Sequence, residues 1–91
     1  MKQPDIKTAL RIYYTCSELG TAEIRELFSV GNTAAAKYKR IVKKKMAEKG
    51  QRSFYPNMVN TETAFEVWGI NVEALEKKLK KLQALKLEVG I

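Results

Sequence analysis

The sequence predicts an all-α chain: a three-helix core, a short fourth helix and a long amphipathic C-terminal helix. Three observations predict it. Apolar residues recur at three- and four-residue intervals, which places them on one side of a helix. Gly20, Gly31, Gly50 and Gly69 cut this pattern into four or five pieces of helical length. Apolar and polar residues nowhere alternate as they do in a half-buried strand, so no strand pair of any length is expected.

The elements follow in order. Pro4 and Asp5 suit the first turn of helix one, where proline lacks only an orphan donor and aspartate complements the dipole. Ile6, Ala9, Leu10, Tyr13 and Cys16 form its apolar stripe, and Leu19-Gly20 reads as its stop. Cys16 on that stripe reads as a small core residue rather than a reactive thiol. Thr21 reads as the N-cap of helix two, with Glu23 and Glu26 near its start and Ile24, Leu27 and Phe28 on its apolar side. Ser29-Val30-Gly31-Asn32 makes a tight connection in which Gly31 or Asn32 takes up positive φ. Helix three runs from Thr33 to about Lys49 and stops at Gly50.

Residues 51–60 are the least periodic. Residues 52–57 form a short extended segment or wing-like loop, with Tyr55 held extended by Pro56. Phe54 and Tyr55 are expected to pack, the alternative being stacking on an exposed base. A short helix then carries Ala64, Phe65 and Trp68 and breaks at Gly69-Ile70, and Asn71 caps a last helix reaching about Val89. Domain organisation is expected as residues 1–59, with the two central helices at 21–49, followed by an arm, 60–91, for packing or dimerisation.

Composition narrows the function. Ninety-one residues make one small domain, with or without an arm. Seventeen Lys and Arg against ten Asp and Glu leave a net charge of +7, which points to a polyanion. The absence of histidine excludes His-based acid–base chemistry and His-ligated metal, and the lone Cys16 excludes an internal disulfide and a zinc site. No paired carboxylates, nucleophile–base pair or phosphate loop is present, so no enzyme, no metal and no cofactor is expected. No run approaches the roughly 18–20 apolar residues of a membrane span, and the start of the chain lacks a signal-peptide core. A cytoplasmic protein, nucleoid-associated when bound to DNA, is the expectation.

Helix three concentrates the charge. Ala35, Tyr38, Ile41, Val42 and Met46 fall on one side; Thr33, Ala36, Lys37, Arg40, Lys43 and Lys44 fall on the other. From Lys37 to Arg52 there are eight basic residues and one acidic residue, Glu48. The like-charged pairs Lys39/Lys43, Arg40/Lys44 and Lys45/Lys49 repel by a few tenths of a kcal/mol each, and an anion relieves that repulsion. Thr21 and the backbone N–H groups beside it are candidate phosphate anchors. Asn32, Thr33, Ala36 and Lys37 are short enough, or placed well enough, for groove contact; Arg40, Lys43 and Lys44 reach phosphates, and Arg40 can read a guanine. Neutralising about six to eight phosphates predicts a log–log salt slope of about −5 to −7.

Counting Thr21 as position one, apolar residues stand at positions 4, 8, 10, 15 and 18: Ile24, Phe28, Val30, Ala35 and Tyr38. In these residues the segment 24–36 resembles the helix-turn-helix family of DNA-binding proteins. It departs at position 5, where the family favours a small residue and this chain has Arg25, and at position 9, where Ser29 replaces a frequent glycine. The resemblance implies sequence-specific binding of double-stranded DNA by a recognition helix in the major groove. The layout is similar to small proteins of bacterial mobile elements: prophage regulators, excisionase-like proteins and small terminase subunits, the last implying a packaging role.

Residues 64–72 also look like a first helix and turn of this kind, but Glu73 and Glu76 repel phosphate there, so Phe65 and Trp68 read as core anchors. Further on, Val72, Leu75, Leu79, Leu82 and Val89 follow a/d heptad spacing, with Lys86 at the skipped position and Leu85 and Leu87 beside it. The stripe is either the inner face of a surface helix or a homodimer seam through Leu75, Leu79 and Leu82. In the alternative function, this leucine-striped helix binds a protein partner and the basic face is incidental.

Overall fold

The fold is that of a computed structural model, and residues 4–88 are described. Five helices carry most of these residues: α1 (Ile6–Thr15), α2 (Thr21–Phe28), α3 (Asn32–Glu48), α4 (Thr61–Val67) and α5 (Val72–Glu88). Two short strands, β1 (Glu18–Leu19) and β2 (Val59–Asn60), pair antiparallel with Glu18 opposite Asn60 and Leu19 opposite Val59. This pair corrects the expectation of no strands. Each strand has two residues, too few for alternation to show, and the partner lies far along the chain. Leu19 and Val59 are fully buried, so the pair closes the core as well as linking its two halves.

Asp5 caps α1 by accepting a 3.1 Å hydrogen bond from the Thr8 N–H. The helix stops at Thr15, before Leu19-Gly20, because Cys16 turns extended (φ −119°, ψ 115°) to enter β1. Cys16 is half-buried against the core, and its carbonyl accepts from the Thr61 hydroxyl at 2.6 Å. The N-cap of α2 is Gly20 rather than Thr21; the Gly20 N–H donates to Glu23 Oε1 at 2.7 Å.

The turn 29–31 differs from expectation in which residue takes the strain. Ser29 adopts the left-handed conformation (φ 54°, ψ 48°), whereas Gly31 sits at φ −83° and Asn32 opens α3. A non-glycine residue there costs roughly 1–2 kcal/mol, only part of which glycine returns to unfolded-chain freedom. Ser29→Gly is therefore expected to raise stability by about 0.5–1 kcal/mol, read as a higher urea midpoint at constant slope. A lower midpoint would mean that the exposed serine side chain stabilises the turn.

The core gathers residues from every element up to α4: Ile12 of α1, Leu19, Ile24 and Phe28, Ala35 and Val42, Val59, Ala64 and Phe65. Phe28 meets Tyr38 and Trp68 edge-on, with centroids 5.1 Å away in both cases, and Phe65 lies 5.1 Å from Tyr13. Trp68 Nε1 donates to the Tyr38 carbonyl at 3.3 Å. The expected division after residue 59 thus falls between residues that share one core, since Val59 and Phe65 are both buried in it. Gly50 and Gly69, the expected breaks after α3 and α4, both take positive φ (68° and 72°).

Asn71 caps α5, accepting from the Ala74 N–H at 3.1 Å. The helix docks on α1: Val72 and Leu75 pack against the core, and the Tyr14 hydroxyl donates to Glu76. That bond holds the Tyr14 hydroxyl above its ordinary pKa, because it favours the protonated phenol. Further along, Leu82 and Leu85 are exposed. Val89, the last position of the heptad stripe, lies outside the described residues.

Candidate nucleic-acid interface

α3 must bury Ala35, Val42 and Met46, which it does between α2 and α4. Helical geometry then turns the residues one and two steps away outward. Asn32, Thr33, Ala36, Lys37, Arg40, Lys43 and Lys44 are all exposed on that outer face. Ile41, expected on the inner side, is 46% exposed and stands at the edge between the two faces.

The cations of residues 37–52 divide into two groups. Lys39, Lys45 and Lys49 are occupied within the molecule: Lys49 bonds Glu66 at 3.2 Å, Lys45 lies 3.9 Å from Glu48, and Lys39 is described below. Lys37, Arg40, Lys43 and Lys44 have no ion pair among the described residues; the one acidic residue of α3, Glu48, lies on their side four positions after Lys44 and pairs with Lys45. The other acidic groups gather elsewhere. Glu62, Glu66 and Glu73 line an open recess with Tyr13 and Phe65, to which α3 contributes nothing. Glu26 pairs with Arg11 at 2.8 Å and holds that guanidinium above its ordinary pKa, mainly through the hydrogen bond.

Thr21 is half-buried in the first turn of α2, and Lys39 joins it to α3. The Lys39 ammonium donates to Thr21 Oγ1 at 3.0 Å and to the Asn57 carbonyl at 2.9 Å. One side chain thus links the start of α2, the middle of α3 and the loop after it. In the sequence Lys39 stands only as a charge repelling Lys43. Both partners are remote in the chain, so no local signal marks its role.

The loop 50–58 also departs from expectation. Phe54 and Tyr55 do not pack into the core; they are 89% and 59% exposed. Their loop is nonetheless fixed. Glu18 on β1 accepts the Phe54 N–H at 2.5 Å and the Tyr55 N–H at 3.0 Å, and the Ser53 hydroxyl donates to the Met58 carbonyl at 2.6 Å. Arg52, exposed, stands beside the pair.

Comparison with family models, curated proteins and solved structures yields no match. No helix among the described residues is long and apolar enough to cross a membrane.

Proposed function

We propose that the chain binds double-stranded DNA sequence-specifically, with α3 as the recognition helix in the major groove. The observation that carries this reading is the outer face of α3: four cations without an ion pair among the described residues, and short groups at its N-terminal end. The turn supports it as well. Ser29 stands where helix-turn-helix proteins often have glycine, and it adopts the left-handed backbone that glycine favours. α2 and α3 bury their facing sides through Ile24, Phe28, Ala35 and Tyr38, as that motif requires.

The roles follow from reach. Asn32, Thr33 and Ala36 bring the backbone close to base edges, and Lys37 contacts base or phosphate. Arg40, Lys43 and Lys44 meet phosphates, with Arg40 also long enough for a guanine. Thr21, its oxygen accepting from Lys39, keeps its O–H for a phosphate oxygen. A small regulator of the mobile-element kind is the biological role this chemistry suits. Of the expected seam of Leu75, Leu79 and Leu82, Leu75 packs against the chain's own core, while Leu82, with Leu85 beside it, is exposed; a second copy of the chain paired there would present two such helices to two half-sites.

Fluorescence anisotropy with a random-sequence duplex across salt concentrations tests the reading. Because Lys39, Lys45 and Lys49 are occupied, the expected slope is shallower than the cation count alone gives. Four or five contacts from Lys37, Arg40, Lys43, Lys44 and Arg52 give about −3.5 to −4.5 per protomer, and about twice that for a dimer. Absence of binding at low salt would overturn the reading and favour a protein partner for α5.

A further inference from the structure

We infer, building on the DNA-binding reading, that the loop 50–58 makes a second contact in which Phe54 and Tyr55 take the π-face of an unstacked base. Two rings kept in water need a physical reason. They touch each other, with centroids 5.7 Å apart and planes tilted by 56°, rather than the core. The backbone beneath them is pinned by Glu18 at two consecutive N–H groups, by Ser53 to Met58, and by Lys39 to Asn57. The exposure is thus built into a fixed loop rather than left by a loose one.

The surroundings select the ligand. Arg52 supplies a cation that lines one open recess with the two rings, together with Ser17, Glu18 and Asn60. The Glu18 carboxylate accepts two N–H groups, which offsets its repulsion of an anion. Apolar π-surface with an adjoining guanidinium matches a nucleotide, a flat base carrying a phosphate. The Lys39 link to Thr21 ties this loop to the α2–α3 face, so both sites address one ligand.

An intact duplex hides its base faces by stacking. A base face becomes accessible in two ways: in an unpaired stretch flanking the duplex, or at a base step opened by a side-chain wedge. The test uses a random-sequence duplex and the same duplex with a short unpaired gap, each carrying 2-aminopurine as a stacking reporter. Wild type is compared with Phe54→Ala/Tyr55→Ala. If the source is an unpaired stretch, wild type prefers the gapped probe by about tenfold or more. If it is a wedge, wild type binds both probes alike and raises reporter fluorescence within the intact duplex. In either case the double variant loses that signature, keeps duplex binding through α3, and keeps its Tm, since the rings lie outside the core. A double variant indistinguishable from wild type on both probes overturns this inference alone. Wild type that binds neither probe at low salt overturns the DNA reading and this inference together.

Discussion

Lys37→Ala combined with Arg40→Ala is expected to weaken duplex binding by at least about 100-fold while leaving Tm unchanged. Each side chain offers a charged hydrogen bond worth about 1.5–3 kcal/mol when it meets phosphate or guanine, and each tenfold in affinity is about 1.4 kcal/mol. Both are exposed, neither has an ion pair among the described residues, and removing Arg40 relieves its repulsion of Lys44. The salt slope should fall by about two at the same time. Arg11→Ala/Lys49→Ala is the control. It removes the same charge, but from side chains already paired with Glu26 and Glu66. If the control weakens binding as much as the test pair, net charge rather than the α3 face holds the DNA.

Phe65→Ala is expected to cost about 3–5 kcal/mol, the usual toll for truncating a buried phenylalanine. Phe65 is 2% exposed, lies against Tyr13 and Trp68, and is the largest of the fully enclosed side chains. For a domain of this size that is a large share of the total stability, and the thermal midpoint should drop by about 12–40 °C in a circular-dichroism melt. A fall of under about 5 °C would place α4 outside the cooperative unit, which would then end near residue 59. The contrast with Phe54 is instructive: two phenylalanines eleven residues apart in the chain, one 2% and one 89% exposed.

That contrast also marks how far the sequence could be read. The inner and outer faces of α3 were legible because a helix sorts its residues with a fixed period, and Ala35, Val42 and Met46 obey it. Asn71 announced the start of α5, since an N-cap bonds a residue only three positions on. The helical class was legible for the same reason. What escaped was set by residues remote in sequence. The pairing of β1 with β2 joins ends of the core that no short window contains. Ser29 takes the left-handed turn expected at Gly31 or Asn32, with Phe28 before it buried in the core and Val30 after it packed against that core. Phe54 and Tyr55 carry the composition of core residues, and they are held outside by bonds to partners remote in sequence, their N–H groups donating to Glu18 and Lys39 donating to Asn57.

Lys39 gives the molecule something like a ruler. Its ammonium fastens the loop to the helix pair at two points, Thr21 and Asn57, so the aromatic tip and the cationic face keep a set separation. A ligand that engages both must present its two features at that spacing. On the proposed DNA reading, the bonds that stiffen the surface also fix how far apart a base face and a phosphate must lie to be engaged together.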